Sequence, residues 1–253
     1  ADPMATNTFM VATCLLALLT LASSIEERQD CSIAPILKYF DVRGRGEAIR
    51  IALSDNGVAF EDESFSGEEW GKERDDGLKA LMAAEGKLAF GQVPLLEMDG
   101  LPLVQSHSIL RYVGRKFGWY TGTPAELYAI DMVADGTEDV RKRLSAIKYA
   151  EISEDAKAVL YKDYFTKQDE GFRWLGYLDE IVGSSKTGFA SGSADATHAD
   201  YLLFDLLDYH DALGGKMSEA LLATMPALTE WRERMVLRPH LNKYLNGPTR
   251  RAA

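Results

Sequence analysis

The hydrophobic periodicity of this chain changes once, about one third of the way along, and that change decides the fold class. From Pro35 onward short apolar runs alternate with a one-sided helix: "PILKYF" reads as a strand, and "VAFEDESF" alternates as another. Between them "GEAIRIALSDNG" puts Ile49, Ala52 and Leu53 on one helical face and stops at Gly57. A polar segment from Ser66 to Gly86 follows, then "QVPLLEMDGLPLVQS". The latter reads as two short strands joined by Asp99-Gly100, a dipeptide that tolerates the positive φ of a tight hairpin turn. "SHSILRYVGRKFG" reads as a helix with Ile109, Leu110, Val113 and Phe117 inward. The order βαβ then ββα describes a thioredoxin-like α/β domain over residues 35–120.

Beyond Thr121-Gly122-Thr123-Pro124 no further strand signal appears. Leu127, Ile130, Val133, Val140, Leu144 and Ile147 recur at helical spacing, and Phe172, Leu175, Leu178 and Val182 do so in a second long helix. "ADYLLFDLLDYHDAL" is apolar on nearly every side, the mark of a helix in the middle of a domain, and Thr197 to Asp200 ahead of it fit a capping box. The expectation for residues 124–247 is an all-helical bundle.

Residues 1–34 stand apart from that body. Ala1-Asp2-Pro3 ahead of Met4 reads as an expression-vector remnant, and "FMVATCLLALLTLASS" is an uncharged apolar run too short for a membrane span. It reads as a secretory signal cleaved near Ser24, although no Lys or Arg precedes it. The alternative is a leader on an otherwise cytosolic protein, so secretory or extracellular and cytoplasmic locations both stay open. Both cysteines, Cys14 and Cys31, fall in this part, which sets aside thiol catalysis by the protein itself. No metal site is expected, because the four histidines, His107, His198, His210 and His240, are scattered and the cysteines have no metal-ligand spacing. A formal charge of −11 with both signs interspersed opposes nucleic-acid binding and points to a small-molecule or protein partner.

One tyrosine, Tyr39, sits where the first strand meets a turn rich in arginine and glycine, "YFDVRGRGE". On residue type alone, a strand-end tyrosine is an edge-of-core residue with its hydroxyl in water. The chemistry allows more. A phenol stays protonated to about pH 10, so it can donate a hydrogen bond to sulfur and favour a thiolate, the form that attacks electrophiles.

Five stretches then carry a resemblance: "YFDVRGRGEAIRIAL", "FGQVPLLEMDG", "QSHSILRYVGRKFGWY", "DMVADGTEDVR" and "LRPHLNKYL". In that order they resemble the cytosolic glutathione transferases (glutathione S-transferases), most closely the pi class, from about Pro35 to Gly247. The resemblance implies an enzyme that binds glutathione as co-substrate and conjugates it to hydrophobic electrophiles. Tyr39 matches the family's catalytic tyrosine, and Arg45, rather than Arg43, matches an arginine that keeps the active-site strand and helix in register. Phe40 and Val42 would wall the electrophile pocket, and Tyr149 falls where pi-class proteins carry a proton-donating pocket tyrosine. As a residue alone, Tyr149 reads as a surface aromatic.

For the tripeptide, Val93 before a cis Pro94 would pair with its cysteinyl backbone, with Gln92 alongside; an edge strand opened by a proline is the alternative. Gln105 and Ser106 would hold the γ-glutamyl end at a helix start, where Ser106 also fits a simple N-cap. Asp139, otherwise a solvated helix acid, matches an acid that reaches across the family's dimer. Trp70 and Lys79 would take the glycyl carboxylate, although Trp70 also suits a packing role. About three extra residues separate Trp70 from Lys79 relative to the family, which leaves Lys72 and Arg74 as substitutes. Phe90 occupies the place of an aromatic that plugs into a partner subunit, implying a homodimer. The family's reactive cysteine is replaced near Leu88, and the tail ending "GPTRRAA" is shorter than the family's, leaving the lid of the pocket open to question. Two further readings remain: the same thiolate serving as a glutathione-dependent isomerase or peroxidase, and a non-enzymatic carrier or structural protein on this fold.

Overall fold

The computed structural model describes residues 34–71, 76–166 and 170–253. The apolar run with both cysteines, and the cleavage expected near Ser24, lie outside the described residues, as do Lys72 and Arg74. Pro35–Ala253 form one compact unit.

Strand β1 (Ile36–Phe40) is central to a mixed four-stranded sheet of order β2-β1-β3-β4. It runs parallel to β2 (Glu61–Phe65) and antiparallel to β3 (Leu95–Met98), which pairs antiparallel with β4 (Leu101–Val104). The β3–β4 turn has positive φ at Asp99 and Gly100, as the dipeptide demands. Helix α1 (Glu47–Asp55) makes the crossover between β1 and β2. Its Ile49, Ala52 and Leu53 are fully buried, and so are Ile51 and Arg50 on the other flank. Strand β2 is shorter than "VAFEDESF" suggests, because the N–H of Val58 closes the end of α1 on the Leu53 carbonyl instead of entering the sheet.

The polar segment after β2 holds two short helices that periodicity did not signal, α2 (Gly67–Trp70) and α3 (Leu78–Ala84). Helix α4 (Ser106–Phe117) then buries Ile109, Leu110 and Val113. Phe117 does not follow them. It is 42% exposed at the last helical position and stacks on Trp119 with ring centroids 5.8 Å apart.

Thr123 caps the long helix α5 (Pro124–Lys148), with proline in the first turn where its missing N–H costs nothing. Helices α6 (Glu154–Phe165), α7 (Glu170–Ser184), α8 (His198–Gly214), α9 (Lys216–Leu222), α10 (Pro226–Val236) and α11 (Pro239–Leu245) complete a helical C-terminal domain. Helix α8 runs through its middle and packs on α5 and α1, which is why it is apolar all round. Its buried Asp200 accepts from the Thr197 N–H at 2.9 Å, from the Ala190 N–H at 2.7 Å and from the Trp231 indole at 3.0 Å.

Candidate active site

Tyr39, 7% exposed, is the penultimate residue of strand β1, and the chain turns back over its ring before entering α1. Two glycines permit this. A Cβ at Gly44 would lie 2.7 Å from the phenol oxygen, and one at Gly46 would lie 2.9 Å from ring carbon Cδ1. Gly44 also has φ +43°, a conformation that strains a side-chain-bearing residue. The close approach lets the backbone N–H of Arg45 donate to the Tyr39 oxygen at 2.9 Å. That bond uses an oxygen lone pair and leaves the phenolic proton free to donate. Burial pushes the phenol's pKa up, against the pull of the Arg45 N–H, so Tyr39 is protonated at neutral pH.

Three arginines hold the turn, two of them buried. Arg50 is fully buried and donates to the carbonyls of Val42 at 3.0 Å and Arg43 at 3.3 Å, and to Asp62 at 3.0 Å. The guanidinium of Arg45 is engaged by Glu138 of α5, beside which His107 lies at 3.5 Å. Burial would raise the Glu138 carboxyl, but His107 and Arg45 outweigh it and hold the carboxyl at about 2. Arg141 pairs with Asp205 of α8 at 2.6 Å and donates to the Gly44 carbonyl at 3.1 Å.

A cavity of about 500 Å³ opens beside the Tyr39 hydroxyl. Phe40 and Val42 wall it on one side, and Ser145, Lys148 and Tyr149 from the end of α5 face them, with Tyr209 of α8 behind. Tyr149 is 73% exposed, yet its ring borders this cavity. The C-terminal tail reaches the cavity through Ala253. Arg251 anchors the tail to Asp41 at 2.8 Å and Asp62 at 3.1 Å, Arg250 to Glu47 at 3.3 Å and to Asp208, and the Ala252 carbonyl accepts from the Arg43 N–H at 2.9 Å.

The residues expected to hold the tripeptide lie outside that cavity but in line with Tyr39. Lys38 pairs with Leu95, and Leu95 with Val104, so Tyr39, Pro94 and Gln105 are the next residues along in one row across the sheet. The Val93-Pro94 peptide is cis. Gln105 has φ +70° and ψ 107°, a conformation that costs a non-glycine residue about 1–3 kcal/mol and is concentrated at functional sites. Ser106, directly after it, opens α4. Gln92 is exposed, and Lys79 of α3 reaches its neighbour Gly91, where a Cβ would be 3.7 Å from the lysine Cε. Trp70 is packed: its ring stacks on Phe65 at 5.5 Å and meets Phe40 edge-on at 5.7 Å.

Asp139 is not brought to this site within the chain. It borders a separate hollow between α5 and α7, with Met132, Gly136, Trp174 and Tyr177. Phe90 stands 68% exposed in the turn before β3. A larger cavity of about 900 Å³, lined by α9 and α10, contains none of the expected residues. Among the described residues no cluster of His, Cys, Asp and Glu is arranged for a metal ion.

Several residues of the site escaped the sequence reading: Glu138, the partner of Arg45, with Arg141, Ser145 and Lys148 of the cavity wall on α5, and Asp205, Asp208 and Tyr209 on α8. A signal for the first four was present. They recur at intervals of three, four and three residues, one face of a single helix, on the turn leading to Tyr149. The α8 residues gave no signal, because a helix buried on all sides does not show which side faces a cavity.

The family model for the glutathione S-transferase N-terminal domain matches residues 35–115, and that for the C-terminal domain matches residues 138–248. Glutathione S-transferase P 1 of Xenopus laevis is 33% identical over 217 residues, 85% of this chain and 93% of its own. Glutathione S-transferase A2 of Mus musculus is 32% identical, over 86% of this chain and 90% of its own. Among solved structures, the glutathione S-transferase from Ascaris lumbricoides superposes with a TM-score of 0.67 at 26% identity, covering 84% of this chain and 96% of that one. The pi-class glutathione S-transferase of Onchocerca volvulus, at 24% identity and a TM-score of 0.70 over 84% of this chain and 92% of that one, is alike in fold.

Proposed function

The chain belongs to the cytosolic glutathione S-transferase family and is pi-like within it, and on that premise we propose that Tyr39 activates glutathione for addition to hydrophobic electrophiles. The observation that carries this reading is the Arg45 N–H donated to the Tyr39 oxygen at 2.9 Å. It polarises the phenol and fixes its direction, so that the free O–H can donate to a sulfur placed at the mouth of the cavity. A hydrogen bond to the charged form of the thiol favours ionisation, and the thiolate then attacks the electrophile held among Phe40, Val42 and Tyr149. Tyr149, which lines the cavity, would donate its proton to a developing oxyanion on that electrophile.

Glutathione would lie along the row made by Tyr39, Pro94 and Gln105. The Val93 backbone would pair with its centre, with Gln92 alongside, and Gln105 and Ser106 would take the γ-glutamyl end at the start of α4. Lys79, beside Gly91 and without an ion-pair partner among the described residues, would take the glycyl carboxylate. The packing of Trp70 favours a supporting role for its ring. Asp139 would act only on a second subunit's ligand, consistent with its distance from the chain's own cavity; the exposed ring of Phe90 supports a homodimer.

The test is the initial rate of glutathione conjugation to chlorodinitrobenzene against the uncatalysed rate, with residues 1–34 removed. A saturable acceleration is expected. A folded protein that binds glutathione yet gives none would shift the weight to the carrier reading, or to isomerase or peroxidase chemistry.

A further inference from the structure

We infer that the cavity beside Tyr39 contains an anion subsite centred on Lys148, which selects aromatic electrophiles bearing a carboxylate; this rests on the transferase reading above. Four cationic side chains line the cavity, Arg43, Arg45, Arg141 and Lys148, against two side-chain carboxylates, Asp205 and Asp208, with the last residue, Ala253, also at its wall. Three of the cations are spoken for. Arg45 is paired with Glu138, Arg141 with Asp205 at 2.6 Å, and Arg43 with Asp208 at 3.5 Å. Both carboxylates are occupied too, Asp208 being held also by Arg232 at 2.9 Å and by Arg250. Lys148 is the cation of this cavity left without a carboxylate among the described residues.

Its surroundings suit an aromatic anion. The ammonium sits 5.2 Å from the ring centre of Tyr209 and 5.8 Å from that of Tyr149. Ring faces stabilise a cation without neutralising it, so its charge remains available to a ligand. Burial and the nearby charge of Arg141 lower the pKa of Lys148, a penalty that an incoming anion would relieve. Phe40, Tyr149 and Tyr209 supply surfaces on which an aromatic electrophile can pack. A carboxylate anchored on Lys148 would hold the ring in the space between those side chains and the Tyr39 hydroxyl. The protein as a whole carries a formal charge of −11, so any preference for an anionic substrate has to be local.

The reaction that reports on the subsite is aromatic substitution on a chlorodinitrobenzoate. The glutathione sulfur forms a bond to the ring carbon, the C–Cl bond breaks, chloride leaves with the electron pair, and the thiol proton passes to solvent. The measurement is kcat/KM for this acid and for its methyl ester, each relative to its uncatalysed rate, in the wild type, Lys148→Met and Lys148→Arg. The acid-to-ester ratio should fall roughly tenfold in Lys148→Met, the scale of one partly desolvated ion pair, and return in Lys148→Arg. Added salt should depress the ratio in the wild type and Lys148→Arg but not in Lys148→Met. A ratio that Lys148→Met leaves unmoved, with the ester still turned over, overturns the subsite and leaves the transferase reading intact. If the folded wild type turns over neither compound, the transferase reading fails and the subsite falls with it.

Discussion

Arg141 and Asp205 form a buried ion pair at 2.6 Å that ties α5 to α8, and the same guanidinium reaches the Gly44 carbonyl in the turn over Tyr39. The helical layer thus fixes the backbone on which the tyrosine's hydrogen bond depends. Asp205→Ala would strand Arg141 as a buried charge, at a cost of about 3–5 kcal/mol. The expected result is a urea unfolding midpoint well below that of the wild type, together with reduced transferase turnover at temperatures where the variant stays folded. Retention of both would mean that the pair does not support the turn.

Gly46→Ala tests the seat of the tyrosine from the other side. The added methyl would lie 2.9 Å from Tyr39 Cδ1 and 3.0 Å from Cγ, and a buried ring has no free end with which to yield. Overpacking of this kind costs about 1–3 kcal/mol. Because relief requires the ring to move away from the Arg45 N–H, kcat should fall by more than the loss of folded protein explains. A thermal melt and a turnover number measured on the same preparation separate the two effects.

The fold was legible wherever apolar residues recur with a clear period or a turn signal stands between them: β1, α1 and the Asp99-Gly100 hairpin follow from such patterns, and α8 from being apolar nearly all round. Helix α6 went unremarked because Ala156, Val159 and Leu160 are not deeply buried and only Tyr164 and Phe165 reach the core. In the site, Tyr39 stood out because chemistry and sequence context agree on it. Glu138 and Asp205 did not, since each reaches the site through an arginine distant in sequence, and neither did Lys148, which has no carboxylate partner among the described residues. Phe117 keeps the spacing of its helix but loses the core, because the helix ends there.

Stability should depend on pH through His210. Its ring is fully buried between two hydrogen bonds: the Leu206 carbonyl, 2.8 Å from Nδ1, can only accept, so Nε2 accepts from the Tyr164 hydroxyl at 2.7 Å. Burial lowers its pKa from 6.5 to about 4. Between those values the unfolded chain binds a proton that the folded one refuses. The neutral ring's contribution is therefore complete above pH 6.5 and is lost as pH falls to about 4, a change of up to about 3 kcal/mol. Asp200 and Asp205, whose carboxyls burial pushes up, act in the opposite sense. Comparison with His210→Asn isolates the histidine, since asparagine keeps a donor for Leu206 and does not titrate. The variant should be less stable at neutral pH and lose stability less steeply on acidification. Parallel pH profiles for the two proteins would rule out a neutral buried His210 as the cause.

Tyr39→Phe removes one oxygen and keeps the ring that Gly44 and Gly46 enclose, so the fold should survive. Without the O–H, nothing else identified at the cavity mouth donates to the thiolate, because the Arg45 N–H is directed at the phenol oxygen itself. Turnover should fall roughly 10²-fold, the scale for one well-placed donor, while glutathione affinity should change little if the tripeptide is held by the other residues proposed for it. The pH profile gives the sharper test. The wild type should reach its full rate at a lower pH than the variant, because a hydrogen bond from Tyr39 to the thiolate would lower the pKa of the bound thiol. A variant with reduced turnover and an unshifted profile would show that Tyr39 positions the sulfur rather than ionising it, and unchanged turnover would remove it from the mechanism.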